Sequence, residues 1–62
     1  MNNLSPRERE VLDLAGQGKT SKEIAQELFI SIHTVTTHFT NIYIKLNARN
    51  KAQAIRKITI ND

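Results

Sequence analysis

The side chains that could do chemistry in this chain are concentrated between His33 and Asn41, a run rich in threonine and histidine. Neither His33 nor His38 has a second histidine four residues away, and the chain has no cysteine, so the spacing of a metal site is missing. Asp13 and Asp62 lie far from both histidines in the sequence, and no Ser/His/Asp arrangement can be argued. We therefore expect neither an enzyme nor a bound metal or cofactor.

Periodicity decides which side chains of this run face outward. The composition favours a strand, but the apolar residues repeat at helical spacing: Val35, Phe39, Ile42 and Leu46. Strand alternation would place Asn41 on the apolar face, so we predict a helix that is held mainly by tertiary packing. With the apolar residues inward, the outward surface, called here the threonine face, consists of His33, Thr36, Thr37, Thr40, Asn41 and Ile44.

The threonine face is polar but almost uncharged. Glu, Lys or Gln would stabilise a helix in water better than threonine does. A contact between these threonines and a ligand would explain why they are present in spite of this cost. Threonine hydroxyls can donate to or accept from base edges in the DNA major groove, and threonine methyls can pack on the thymine C5-methyl. Asn41 could pair with adenine. We predict base contacts from Thr36, Thr37, Thr40 and Asn41; neutral drift on a solvated face is the alternative.

Capping residues place this face on the third of four predicted helices. A side-chain acceptor followed three residues later by Glu or Gln marks three helix starts: Ser5 and Glu8, Thr20 and Glu23, and Asn50 and Gln53. Ser31 caps the remaining helix, and Gly16 and Gly18 end the first one. We predict an all-α fold with helices at about 6–16, 21–28, 32–46 and 51–58.

The second and third helices form the most informative feature of the sequence. Ala25 stands where two helix axes must cross closely, and Val35 follows ten residues later on the first inward turn of the third helix. This spacing is the signature of a helix-turn-helix, whose second helix lies in the DNA major groove. Phe29 and Ile30 make the turn. Many such turns have glycine where Phe29 stands, so we expect packing to accommodate its ring.

Length and charge agree with a small DNA-binding domain. The 62 residues allow one domain over 1–62, with 1–3 expected to be disordered. Up to Leu28 there are four Lys or Arg against five Asp or Glu; from Phe29 onward there are five against Asp62 alone. The basic half suits a polyanionic partner, although a solvated surface also explains it. No apolar run approaches the ~18 residues of a membrane span, so we expect a cytoplasmic protein with no membrane contact. We also expect no small-molecule ligand in this segment.

Phosphate contacts would come from side chains that flank the motif. Ser21 and Lys22 open the second helix, where backbone N–H groups and the positive helix end attract an anion. His38 lies on the flank of the third helix, where a phosphate contact and a structural role are equally good interpretations. Contacts to phosphates fix the position of a protein along the duplex but do not read the base sequence. Any one of these lysines, taken alone, is more often an ordinary surface charge. The predicted set is Ser21, Lys22, His38, Lys45, Arg49 and Lys51.

Several blocks of the sequence, in the same order, resemble the LuxR/GerE-type DNA-binding domain from about Leu4 to Ile58. They are Leu4–Leu12, Gly18, Ser21–Ala25, Leu28, Ile30–Ser31, Thr34–Val35, His38, Ile42, Lys45–Leu46 and Arg49–Asn50. The resemblance implies a four-helix domain of a transcriptional regulator that acts as a dimer, with RNA polymerase as a further candidate partner. It also implies base contacts from Thr36, Thr37 and Thr40, phosphate contacts from Ser21, Lys22, His38 and Lys45, and a dimer contact through the side of the fourth helix with Ala52, Arg56 and Thr59.

One departure from the family keeps alternatives open. Lysine usually follows the Thr-Val pair, and Thr36 stands there, which removes a cation and predicts weaker binding or a changed base preference. A helical interaction and dimerisation module that no longer binds DNA is one alternative. Region 4 of a sigma factor is another, although it usually has Arg or Lys near Thr37 and His38. The family usually carries a regulatory domain as well, so whether this chain is a fragment or a stand-alone regulator stays open.

Overall fold

The computed structural model describes the backbone of residues 4–61 and the side chains up to Thr59. In this part of the chain the elements are α1 (Pro6–Gly16), α2 (Ser21–Leu28), α3 (Ile32–Leu46) and α4 (Lys51–Asn61). The predicted all-α fold is confirmed, and the bounds of α1, α2 and α3 are as expected. The predicted end of α4 at Ile58 is wrong, because no glycine or proline follows to stop the helix before Asn61. The predicted disorder of residues 1–3 lies outside the described residues.

Local capping explains where α1, α2 and α3 begin. In α1, the Glu8 N–H donates to Ser5 Oγ at 3.2 Å, and the Ser5 N–H donates to Glu8 Oε1 at 2.9 Å. Thr20 and Glu23 exchange the same pair of bonds at the start of α2. Ser31 Oγ accepts from the Thr34 N–H at 3.0 Å and so caps α3. Each cap satisfies N–H groups that have no partner inside the helix.

The predicted capping pair at α4 forms only in part. The Gln53 N–H donates to Asn50 Oδ1 at 2.9 Å, as expected. The Gln53 Oε1, however, accepts from the N–H of Arg49 at 2.9 Å and not from that of Asn50. The backbone bends at Arg49 and Asn50, and this bend brings the N–H group of Arg49 to the side-chain amide of Gln53.

The core is built around α3, which packs against each of the other helices. Val35 and Ile42 are fully buried and Phe39 is 5% exposed, so the helical periodicity predicted for this segment is confirmed. The other buried apolar residues are Val11, Leu12, Ala15, Ile24, Ala25, Ala54 and Ile58. Burying one Val, Leu or Ile side chain stabilises a fold by about 1.5–3 kcal/mol, which offsets the poor helix propensity of α3.

Lys57 joins the end of α3 to α4. Its Nζ donates to the carbonyl oxygens of Leu46 at 3.0 Å and Asn47 at 2.8 Å. These carbonyls lie at the C-terminal end of α3, where the last carbonyl groups lack helical partners and the helix dipole favours a cation. One side chain of α4 therefore caps the helix that bears the threonine face.

The turn between α2 and α3 holds Phe29 in the left-handed conformation, with φ 58° and ψ 43°. The Ile30 N–H donates to the Ala25 carbonyl at 3.0 Å, which closes a Schellman-type helix end. Packing does not accommodate the ring, contrary to expectation, because Phe29 is 94% exposed. The side chain therefore projects outward from the turn.

Phe29→Gly is expected to raise the free energy of unfolding by about 1 kcal/mol. A residue with a Cβ is strained in the left-handed region and glycine is not, while the exposed ring contributes little packing. Urea denaturation measures the difference, and Phe29→Ala is the matched control, because it removes the ring but keeps the Cβ. A loss of stability in Phe29→Gly would show that the ring packs on the fold in solution.

Among the described residues, no helix combines the length and the apolar character that crossing a bilayer needs.

Candidate nucleic-acid interface

The threonine face lies on the solvent side of α3. Thr36, Thr37, Thr40 and Asn41 are all exposed, whereas Val35 and the other inward residues of the helix are buried. His33 is exposed as well, and Ile44 is 73% exposed at the C-terminal end of the face. The structure therefore brings the four predicted base-contact residues together on one accessible surface of a single helix.

The threonine hydroxyls of this face are turned back onto their own helix. Thr36 Oγ1 donates to the Ile32 carbonyl at 3.1 Å, and Thr37 Oγ1 donates to the His33 carbonyl at 3.1 Å. Thr40 Oγ1 donates to the Thr36 carbonyl, also at 3.1 Å. Bonds of this kind, from a hydroxyl to the carbonyl four residues earlier, are common for threonine inside helices. The hydroxyl oxygens keep acceptor capacity, while their hydrogens are already in use.

The start of α2 is the first of the predicted phosphate sites. Lys22 is exposed and Ser21 is half-buried. Thr20 caps the N–H of Glu23, and the N–H groups of Ser21 and Lys22 remain at the positive end of the helix. Hydrogen bonds from the backbone and the hydroxyl of Thr20 lower the pKa of the Glu23 carboxyl, so a negative charge sits at the same helix end.

Lys45 already has an ionic partner. Its Nζ lies 2.8 Å from Glu8 Oε1, and Glu8 is only 5% exposed. Burial alone would raise the pKa of Glu8, but hydrogen bonds from Lys45 and Ser5 outweigh it and lower the pKa below its ordinary value. An ammonium group has three donors, so Lys45 can hold Glu8 and still donate to a phosphate.

The remaining phosphate candidates differ in their surroundings. Arg49 is exposed, and His38 is half-buried on the flank of α3. Lys51 is half-buried, with its Nζ 5.2 Å from the centre of the Phe39 ring, a cation–π distance. The sequence shows that these side chains can carry a positive charge, but it does not show the contacts that they make in the folded chain, such as that of Lys51 with the Phe39 ring.

The side of α4 that was predicted to meet a second copy is also accessible. Ala52, Arg56 and Thr59 are exposed and recur at helical spacing, whereas Ala54 and Ile58 of the same helix are buried. The three residues therefore share one outward stripe.

Within the described part of the chain, no group of three or more His, Cys, Asp or Glu is placed to hold a metal ion.

Comparison with known proteins shows similarity along most of the chain. A family model described as bacterial regulatory proteins, luxR family, matches residues 2–58. The transcriptional regulatory protein LiaR of Bacillus subtilis (strain 168) is 55% identical over 51 residues, covering 82% of this chain and 24% of that protein. The spore germination protein GerE of the same organism is 52% identical over 52 residues, covering 84% of this chain and 70% of that protein.

The fold is also similar to that of a solved structure. The response regulator ChrA, from a heme-sensing two-component system, superposes with a TM-score of 0.92 at 39% sequence identity. The match covers 98% of this chain and 30% of ChrA. This chain thus spans about a quarter of the length of LiaR, a larger share of GerE, and less than a third of ChrA.

Proposed function

Since this chain belongs to the LuxR family of bacterial regulatory proteins and is a DNA-binding domain of a transcription regulator, we propose that it lays α3 in the major groove of double-stranded DNA. The observation behind this proposal is the two-sidedness of α3. Its inner side is buried in the core, and its outer side exposes Thr36, Thr37, Thr40 and Asn41. The family is one of DNA-binding regulators and not an enzyme family.

The phosphate contacts flank α3 in this proposal. The N-terminal end of α2, with Ser21 and Lys22, binds one stretch of backbone, and the side chains around the C-terminal end of α3 bind another. The second group consists of Lys45, Arg49 and Lys51, with His38 between the two groups. The balance of charge supports this arrangement, because the chain is basic from Phe29 onward.

The proposal also includes assembly and location. The exposed stripe of Ala52, Arg56 and Thr59 is the surface through which two copies of the single domain 1–62 would pair. A two-fold dimer presents two α3 helices to two half-sites. We place the protein in the cytoplasm, where a bacterial regulator meets DNA, and RNA polymerase is a further candidate partner.

A salt series tests the DNA-binding part of the proposal. Fluorescence anisotropy with a random-sequence duplex is repeated at several salt concentrations, and log affinity is plotted against log salt. We expect a slope of about −3 or steeper, because each neutralised phosphate contributes about −0.9. A flat line, or no binding at low salt, would contradict the proposal and would favour the interaction module that does not bind DNA.

A further inference from the structure

The threonine face is unusual for a DNA-reading surface because it offers no long cationic side chain. The sequence contains no Lys, Arg, Asp or Glu from Phe29 to Ile44. The first cation after this stretch is Lys45, which is bound to the buried carboxylate of Glu8. On the threonine face itself, a guanine therefore meets neither of the two residue types that most often bind its O6 and N7.

The hydrogen bonds within α3 also limit what the threonines can offer. Each hydroxyl has one hydrogen, and in Thr36, Thr37 and Thr40 that hydrogen is donated to a carbonyl of the preceding turn at 3.1 Å. What remains on each exposed side chain is a hydroxyl acceptor and a γ-methyl group. Breaking the internal bond to donate elsewhere would leave a helix carbonyl with one partner fewer.

The base edges of the major groove differ in what they need from such a surface. Guanine presents only acceptors, so it requires donors. Thymine presents a methyl group, and adenine presents a donor, N6–H₂, beside an acceptor. A hydroxyl acceptor can take a hydrogen bond from adenine N6–H₂ or from cytosine N4–H₂, so it does not separate the two kinds of pair. The γ-methyl groups can, because only thymine has a C5-methyl, and the Asn41 amide can pair with adenine. His33, at the N-terminal end of α3, is the member of the face whose ring N–H could donate to guanine.

We propose that this chain selects A·T base pairs by packing the γ-methyls of Thr36, Thr37 and Thr40 against thymine C5-methyls. Ile44, exposed at the end of the same face, extends the apolar surface. The inference rests on the proposed placement of α3 in the major groove and adds to it the class of base that α3 recognises.

Removing methyl groups from the DNA is the direct test. A preferred duplex is selected from a random pool, and each thymine is replaced in turn by deoxyuridine, which lacks only the C5-methyl. We expect affinity to fall about fourfold for each contacted thymine, the effect of one buried methyl group. Unchanged affinity at every position, or a selected site whose contacted pairs are G·C, would overturn the inference.

Two substitutions at one position separate the methyl from the hydroxyl. Thr37→Val keeps a γ-methyl and removes the hydroxyl, whereas Thr37→Ser keeps the hydroxyl and removes the γ-methyl. We expect Thr37→Val to retain the discrimination between thymine and uracil at its contact and Thr37→Ser to lose it. The opposite pattern would show recognition through the hydroxyl and would overturn the inference.

The two proposals fail in different ways. If the random-sequence duplex gives no salt-dependent binding, placement of the chain on DNA is wrong and the base preference falls with it. If binding is salt-dependent but indifferent to uracil, the proposed function stands and only the base preference is wrong. Circular dichroism of both Thr37 variants confirms that each has folded before its affinity is interpreted.

Discussion

Thr40→Glu is expected to lower the affinity for the selected duplex by at least about 100-fold and to leave the helical circular dichroism unchanged. The glutamate would stand on the exposed side of α3, where it faces base acceptors and phosphates with a negative charge. Such like-charge juxtaposition costs several kcal/mol. Thr37→Glu tests the same surface three residues earlier in α3, and fluorescence anisotropy measures the affinity of both variants.

Gln17→Glu is the matched control for this experiment. It adds the same charge at an exposed position, the C-cap of α1, which is far from the threonine face in the sequence and does not belong to α3. We expect it to change affinity by no more than a few fold, because the added charge acts only at long range and is screened by salt. If both threonine variants bind the preferred duplex as tightly as this control does, α3 does not occupy the groove.

Glu8→Ala is expected to reduce the free energy of unfolding by about 2–3 kcal/mol, a large fraction of the stability of so small a domain. The buried Glu8 carboxylate accepts from the Ser5 N–H at 2.9 Å and from Lys45 Nζ at 2.8 Å, so the change removes half a capping box and a buried ion pair. The Lys45 side chain is 36% exposed and can turn into water, which limits the cost. Urea denaturation at pH 7 measures it.

Glu8→Gln separates the two contributions. The amide oxygen can still accept from the Ser5 N–H, but the negative charge opposite Lys45 is gone. We expect about half the loss seen in Glu8→Ala. Equal losses in the two variants would show that the capping box contributes nothing.

The lowered pKa of Glu8 sets the direction of its pH dependence. A carboxyl whose pKa is lower in the folded state stabilises the fold above its unfolded pKa, about 4.3 for glutamate. This contribution is lost as pH falls from that value through the lower folded pKa. We therefore expect the stability of the unmodified chain to fall more steeply below about pH 4.3 than that of Glu8→Gln. Parallel curves would contradict the assigned pair.

The features that were predictable from the sequence are those decided by nearby residues. A cap depends on residues three apart, so Ser5 with Glu8, Thr20 with Glu23, and Ser31 located the helix starts correctly. Periodicity likewise placed the threonine face outward against the strand preference of its residues. Both signals act within a few turns of chain, where spacing alone determines which groups meet.

The features that were missed depend on contacts between residues far apart in the sequence or on backbone geometry. Glu8 and Lys45 are 37 positions apart, and no spacing rule pairs them. The role of Lys57 required knowing that α4 returns to the end of α3. The exposure of Phe29 follows from the left-handed turn, because the turn geometry and not the apolar character of the ring decides where the ring lies.

The bonds from Lys57 to the carbonyls of Leu46 and Asn47 tie α4 to the C-terminal end of the helix that bears the threonine face. If two copies pair through α4, the distance and angle between their two α3 helices are set inside each subunit and not by a flexible linker. The dimer would then bind tightly only to half-sites at one separation. Inserting or deleting a base pair between half-sites could be matched only by bending or twisting the DNA.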